Sequence, residues 1–399
     1  MEYPVSTNNY RTFIERIFVI EDVTEGSQKD GYLTRYRGHL REIDSIQAYA
    51  QLAEQLKPFN ITPHFRKDGE QQSILLVDGV LTPKESNSLI NLVLFLLTLL
   101  SVLFAGASYG LADPLPANFL QAAGVLISKG WPFALSMMAI LSAHEFGHYF
   151  MGRYHGVKVT LPYFIPFPFS PFGTMGAVIN MKEPPRNKRE LLDIGIAGPM
   201  AGLAVAIPVL IIGLRLSTVD TIQAVGATGQ TMMMEGNSLL YLFLKFITFG
   251  QLLPQPVTFN GINPILYWIG YFFTAHPFPI GGRDVMIDAV AWAGWAGLLI
   301  TALNLIPAGQ LDGGHMIYVL VGKEKAKKIR PLIIALLVLM GFVWNGWWLW
   351  AGIVFFVGRF YAEPVDQITE LDDKRKVLAV LALIIFILVF TPVPLILIS

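Results

Sequence analysis

From residue 88 onward, long apolar stretches alternate with short polar ones. The first stretch, SLINLVLFLLTLLSVLFAG, starts at Ser88 and is long enough to cross a bilayer at a helical rise of about 1.5 Å per residue. Comparable stretches follow at residues 131–152, 191–214, 286–306, 331–358 and 377–399. The stretch 331–358 forms either one long span or two short ones that turn at Asn345-Gly346, and 237–250 is too short to predict a span. We therefore predict a polytopic α-helical membrane protein with about six to eight transmembrane helices.

Residues 1–87 have a different pattern, with many charges and short alternating segments. The predicted elements are strands at 17–23, 32–38, 61–69 and 72–79 and an amphipathic helix at 45–59. This pattern predicts a small soluble α+β domain in front of a membrane domain at 88–399. The opening residues, MEYPVSTNNYRTFIER, contain no apolar core, so we expect no cleaved targeting segment and membrane entry through the internal spans.

Composition agrees with a membrane protein rather than a large soluble enzyme. Hydrophobic residues make up 53% of the chain and charged residues 15%, and the mean hydropathy is +0.52. Lys plus Arg and Asp plus Glu number 29 each, so charge gives no indication of a nucleic-acid partner. The chain has no cysteine, which excludes disulfides, a thiolate nucleophile and cysteine ligands to a metal. Any bound metal must be held by histidines and carboxylates.

The distribution of basic residues predicts the orientation of the spans. The loop at 153–190 contains six Lys or Arg residues against two Glu, and a second basic run lies at 323–330. The positive-inside rule places both loops, and with them the N-terminal domain, in the cytoplasm. We therefore expect an integral protein of a prokaryotic cytoplasmic (inner) membrane.

The sequence HEFGH at 144–148 is the strongest candidate for a catalytic motif. Residues four apart lie on one face of a helix, so His144 and His148 can bind the same metal ion. Glu145 is offset from that face and is better placed to activate a bound water as a general base. The alternative is a pair of helix-surface histidines with an unrelated glutamate. An ionisable cluster in an apolar helix is costly unless it is paired or metal-bound, which favours the metal site.

A catalytic zinc ion usually has three protein ligands, so a third must come from elsewhere in the chain. Asp312 is the preferred candidate because it follows the span at 286–306 and lies at the same predicted depth as the two histidines. Asp193, at the inner end of the span at 191–214, is the alternative. Four other residues are less suitable as metal ligands. Asp284 and Asp288 lie at the outer end of a span, and a supporting or structural role explains His276 and His315 better. We expect one divalent ion, with zinc favoured by the ligand types.

Two further segments are predicted to lie close to this site. The loop sequence LPYFIPFPFSPFGTMGAVINM at 161–181 is too apolar for a solvated loop, and its end, FGTMGAVI, is β-like, so we expect a short strand segment associated with the membrane. In the span at 191–214, Gly198 and Gly202 have the spacing that allows helices to pack closely. A flexible helix start at Pro199 is the alternative explanation for these glycines.

The motifs HEFGH and NLIPAGQLDGGH, at 304–315, resemble those of the site-2 protease family of intramembrane zinc metalloproteases. FGTMGAVI is similar to the strand with which that family binds its substrates. The similarity covers about residues 131–320, the expected catalytic core. The plastid and cyanobacterial-type branch has a soluble N-terminal domain with a G-N-L-R element, which reads Gly38-His39-Leu40-Arg41 here, and an H-P pair, which is His276-Pro277 here.

The resemblance implies a role for each matching residue. His144, His148 and Asp312 would bind one zinc ion, and Glu145 would be the general base. Asn304 would contact the substrate backbone or the oxyanion, although an interhelical hydrogen bond explains this residue equally well. The residues of the strand that would contact the substrate are Gly173, Thr174 and Gly176.

We therefore expect a protease that cuts transmembrane proteins within or near their membrane-spanning segments in the lipid bilayer. One alternative is a catalytically silent membrane chaperone or adaptor with the same fold. Another is a divalent-metal transporter, although no internal repeat supports one. The sequence predicts neither the oligomeric state nor the identity of the substrate.

Overall fold

The computed structural model describes residues 8–27, 29–80, 86–109, 116–223, 232–259 and 261–398. Its first part is an α+β domain, as predicted. The elements of this domain are α1 (Asn8–Glu15), β1 (Phe18–Glu25), β2 (Thr34–Leu40), α2 (Ser45–Leu56), β3 (Ile61–Asp68) and β4 (Gln71–Asp78). The strands form one antiparallel sheet in the order β1-β2-β4-β3. Helix α2 packs its apolar face, with Ala48, Leu52 and Leu56 buried, into the core around Phe18 and Phe65.

Backbone hydrogen bonds continue this sheet beyond β3. Asp366 forms parallel bridges with Phe65 on one side and with Asn187 on the other. The amide of Phe65 donates to the Val365 carbonyl at 2.9 Å, and the amide of Asp366 donates to the Arg186 carbonyl at 2.7 Å. The N-terminal domain is therefore joined through residues 365–367 to the segment that leads into the third long helix.

The remainder of the chain is mainly helical. Its elements are α3 (Ser88–Ser108), α4 (Phe119–Tyr154), β5 (Tyr163–Pro166), β6 (Thr174–Val178), α5 (Lys188–Leu216), β7 (Thr218–Thr221), β8 (Met232–Glu235), α6 (Leu239–Phe249), α7 (Pro264–Thr274), β9 (Arg283–Met286), α8 (Ala289–Asn304), α9 (Asp312–Val321), α10 (Lys323–Met340), α11 (Gly346–Val357), α12 (Asp373–Val389) and β10 (Leu395–Ile398). The main core lies where α4, α5 and α8 pack together, with Met137, Leu210 and Trp295 among its buried residues.

Three helices of the described residues, α3, α4 and α5, are long and apolar enough to cross a membrane. Helices α6, α8 and α11 are apolar but shorter. Each predicted apolar stretch contains a helix, whereas the total of six to eight spans stays a prediction. The stretch 331–358 is divided into α10 and α11, as in the two-helix alternative, by a turn that ends at Asn345-Gly346.

The last predicted span, at 377–399, is wrong in its extent. Helix α12 ends at Val389, and the chain returns as β10, which pairs antiparallel with β8. Pro392 and Pro394 lack the backbone N–H that a helix needs, so the helical hydrogen bonding cannot continue through them. The apolar pattern alone does not distinguish this strand from the end of a membrane helix.

Candidate metal centre

Helix α4 places His144 and His148 on one face, and α9 places Asp312 against them. The two Nε2 atoms lie 3.3 Å apart. Asp312 Oδ2 lies 3.4 Å from the Nε2 atom of each histidine. The three predicted ligands therefore form a nearly equilateral triangle of donor atoms, and this is the one such cluster found among the described residues.

The size of this triangle fits a single divalent ion. Zinc bonds to nitrogen and oxygen are about 2.0–2.2 Å long, so two ligands of a tetrahedral ion lie about 3.3–3.6 Å apart. All three measured separations agree with that range. A tetrahedral ion held by three protein ligands keeps its fourth position open for water or substrate.

Helix α5 fixes the orientation of both imidazoles. His148 Nδ1 lies 2.7 Å from the Ile194 carbonyl oxygen, so it donates a hydrogen bond that leaves Nε2 free to bind the ion. A Cβ at Gly198 would lie 2.0 Å from His148 Nε2, and one at Gly202 would lie 3.1 Å from His144 Nδ1. The two glycines predicted to allow close packing are therefore the points where α5 crosses the metal-binding face of α4.

Asp312 is the first residue of α9, and the two glycines after it position that helix. A Cβ at Gly313 would lie 2.0 Å from the Leu305 carbonyl oxygen, and one at Gly314 would lie 2.2 Å from the Gly309 carbonyl oxygen. Both glycines adopt ordinary helical geometry. They bring the carboxylate inward through close packing of α9 against the residues that precede it.

Glu145 and Asn304 lie next to the triangle. Glu145 is 5% exposed, and its carboxylate lies close to the backbone amide of Ile179, directly after β6. Asn304 is the last residue of α8, and its Nδ2 lies 3.2 Å from His144 Nε2. A carboxylate and an amide donor therefore flank the position that an ion would occupy.

These residues line a cavity of about 500 Å³. Its wall also contains residues 177–181 at the end of the hairpin of β5 and β6, and residues 183–185. Strand β6 pairs antiparallel with β5 along one edge, and no other described strand pairs with it. The cavity thus brings together the metal-binding triangle, a carboxylate and the end of a short strand.

Of the predicted strand residues, Gly173 directly precedes β6, Thr174 begins it and Gly176 lies within it, and none of the three lines the cavity wall. Ser101 Oγ donates to the Gly173 carbonyl at 2.5 Å, which attaches the turn to α3. Thr174 Oγ1 donates to the Ile165 carbonyl at 2.8 Å and accepts from the Gly176 amide at 3.0 Å. These contacts hold the hairpin in shape.

The less suitable carboxylates have other partners. Asp193 Oδ2 lies 3.0 Å from His155 Nε2 and 2.6 Å from Arg375 Nη2, outside the triangle. Asp284 pairs with the buried Lys245 at 3.3 Å, and Asp288 caps α8 by accepting from the Val290 amide. Two residues of the cavity wall, Glu183 and Gln310, were not among the predicted site residues, because no motif singles them out.

The sequence profile of peptidase family M50 matches residues 132–344, more than half of the chain. The chain belongs to peptidase family M50. This assignment confirms the resemblance to the site-2 proteases. The matched residues of this M50 member include all three corners of the triangle, together with Glu145 and Asn304.

Several curated proteins are similar to this M50 member. It is 29% identical over 270 residues to "Probable zinc metalloprotease EGY2, chloroplastic" of Arabidopsis thaliana, covering 67% of this chain and 43% of the relative. It is 28% identical over 271 residues to "Probable zinc metalloprotease EGY1, chloroplastic" of the same plant, covering 67% of this chain and 44% of the relative. The chain therefore spans about two-fifths of the length of these relatives. No solved structure matches it.

Proposed function

We propose that this M50 member is a zinc metalloprotease that hydrolyses peptide bonds within or near the transmembrane segments of membrane proteins. The observation that carries the proposal is the triangle formed by His144, His148 and Asp312, with Glu145 beside it in the cavity. The relatives are named zinc metalloproteases, which supports zinc over other divalent ions.

Each residue of the site has a role in this reaction. A zinc ion bound in the triangle would acidify a water molecule and polarise the peptide carbonyl. Glu145 takes the proton of the attacking water and returns it to the nitrogen of the leaving amine. Asn304 is positioned to donate a hydrogen bond to the carbonyl oxygen as negative charge develops on it.

The hairpin supplies a way to hold the substrate. A transmembrane helix hides its carbonyl groups in hydrogen bonds four residues apart, so it must unwind before a peptide bond can be attacked. The edge of β6 that β5 leaves free can pair with the unwound segment through backbone hydrogen bonds. Gly173, Thr174 and Gly176 would then act by keeping this strand at the cavity, although they line none of its wall.

We place the protein in a membrane through α3, α4 and α5, with the N-terminal domain in the cytoplasm or its equivalent compartment. Its substrates would be membrane-spanning proteins, and no nucleic acid is involved. The names of the relatives refer to chloroplasts and give no support to the prokaryotic cytoplasmic membrane, which stays a prediction from the sequence.

The decisive experiment compares the wild type with Glu145→Gln in proteoliposomes that contain a transmembrane reporter. We expect one zinc ion per chain in both proteins and a loss of cleavage of about 100- to 10,000-fold in the variant, since the glutamine cannot accept the proton. Glu183→Gln is the matched control, because Glu183 lines the same cavity away from the ligand triangle. It should retain cleavage.

Three outcomes would contradict the proposal. Cleavage by Glu145→Gln at the wild-type rate would remove Glu145 as the base. A wild-type protein that binds zinc but cleaves no membrane reporter would favour the adaptor. Zinc movement into the same liposomes would favour the transporter.

A further inference from the structure

His315 lies in the active-site cavity without an assigned role. It follows Asp312 by one turn of α9, so both side chains lie on the same side of that helix. The imidazole is only 8% exposed and lines the cavity together with His144, Glu145 and His148. A Cβ at Gly195 would lie 3.2 Å from His315 Cβ, so α5 leaves just enough space for this side chain.

The His315 imidazole has no hydrogen-bond partner among the described residues. Its Nδ1 atom is completely buried and unpaired. A buried polar atom without a partner is destabilising, so such an atom in a native protein calls for an explanation, such as a catalytic role or a bound water or ligand. The histidine is also not a corner of the metal-binding triangle. His315 therefore combines a buried, unpaired ring nitrogen with a place in the cavity wall.

Beside the amide of Asn304, a peptide bound in the cavity gains more from a further hydrogen-bond donor than from another acceptor. Glu145, Glu183 and Asp312 all supply carboxylate oxygens to the wall. A peptide substrate brings carbonyl oxygens, and a developing oxyanion requires N–H or O–H groups. A neutral imidazole carries one N–H group and satisfies that need.

We propose that His315 is a further catalytic residue that donates a hydrogen bond from its imidazole to a carbonyl oxygen of the bound substrate peptide. The proposal rests on the proposed protease function. Glu145 moves the proton, and His315 holds the peptide while its carbonyl group is attacked. His315 forms no covalent bond and transfers no proton in this role.

The test uses His315→Phe, which keeps a ring of similar shape but removes the donor, and His315→Asn, which keeps an N–H group. We expect one zinc ion per chain in both variants. For a transmembrane reporter in proteoliposomes, kcat/KM should fall about 100- to 1,000-fold in His315→Phe and recover in part in His315→Asn. His39→Phe is the control, since His39 is exposed on β2 of the N-terminal domain.

A second measurement does not depend on cleavage. The Kd of the reporter peptide is measured with Glu145→Gln and with the double variant Glu145→Gln/His315→Phe. We expect weaker binding, by about tenfold, in the double variant. Equal peptide binding together with an unchanged kcat/KM in His315→Phe would overturn the proposal. Loss of zinc from His315→Phe would also overturn it, because His315 would then be a positioning residue for Asp312. If the wild type cleaves no reporter, the protease function fails, and the binding measurement still decides whether His315 contacts the peptide.

Discussion

Arg375 at the start of α12 holds the Asp193 carboxylate through an ion pair of 2.6 Å between Nη2 and Oδ2. His155, directly after α4, contacts the same oxygen at 3.0 Å. Asp193 thus connects the ends of three helices, one residue before Ile194, whose carbonyl accepts from His148. The sequence offered Asp193 and Asp312 as alternatives for one role, and the structure gives them two different roles.

This difference predicts opposite results for the two aspartates. Asp312→Asn should lose most of its zinc and all measurable cleavage, because the amide is a much weaker ligand than the carboxylate. Asp193→Asn should keep one zinc ion per chain but lose about 1.5–3 kcal/mol of stability, since a hydrogen-bonded charge is replaced by a neutral group. Zinc analysis and thermal unfolding of both variants provide the measurement. Normal zinc content in Asp312→Asn would refute the proposed ligand set.

The close packing at Gly198 predicts that one added methyl group, on a residue outside the ligand set, weakens zinc binding. A Cβ there would lie 2.0 Å from His148 Nε2, so Gly198→Ala must displace the imidazole or separate α4 from α5. We expect a loss of zinc affinity and a destabilisation of about 1–3 kcal/mol from overpacking.

The control is Gly124→Ala, also on a long helix, where an added Cβ meets nothing within 4 Å. This substitution should leave zinc binding unchanged and stabilise the helix slightly, because alanine has the higher helix propensity. Equal behaviour of the two alanine variants in zinc titration would contradict the observed helix packing.

The contact of Ser45 with Asp366 helps to attach the N-terminal domain to the segment that leads into α5. Its Oγ donates to Asp366 Oδ2 at 2.8 Å in a buried site, and Asp366 bridges β3 and Asn187. Ser45→Ala should cost about 1–3 kcal/mol by leaving part of a buried carboxylate unpaired. We expect faster hydrogen exchange at residues 365–367 than in the wild type, with zinc content unchanged. Ser27→Ala, in an exposed turn, should show neither effect.

The lowered pKa of His64 predicts that the N-terminal domain becomes less stable in mild acid. Burial, with a contribution from the charge of Arg66, lowers the pKa of His64 from 6.5 to about 4. Between these values the unfolded domain binds more protons than the folded one, so stability falls as pH decreases from about 6.5 to about 4. Hydrogen exchange of β3 at pH 7 and pH 5 measures this effect. His64→Gln should reduce the difference, whereas His39→Gln, at an exposed histidine, should preserve it.

The sequence predicted much of the site because its chemistry is carried by short motifs. HEFGH fixes two ligands and a base on one helical turn, since helical spacing alone brings His144 and His148 together. The strand element around Thr174 and the helix predicted at 45–59, observed at 45–56, were also predictable, because each carries a local pattern of polar and apolar residues.

Contacts between distant segments were harder to predict from the sequence. The choice between Asp193 and Asp312 depends on where α12 places Arg375, and the end of the last helix depends on the pairing of β10 with β8. The predicted substrate residues lie just before β6 and in its first half, while residues 177–181 line the cavity, because the position of a hairpin depends on the helix that it packs against.

The sequence by itself determined that the chain is apolar, that it carries two histidines and a glutamate with metal-binding spacing, and that a charged domain precedes the apolar stretches. These properties depend on composition and on neighbours within one helical turn. The tertiary structure decided which carboxylate joins the histidines, left His315 Nδ1 without a partner beside them, and joined β3 through residues 365–367 to the segment that leads into α5. Such relationships depend on the packing of segments far apart in the chain, and that packing is specified by the whole core.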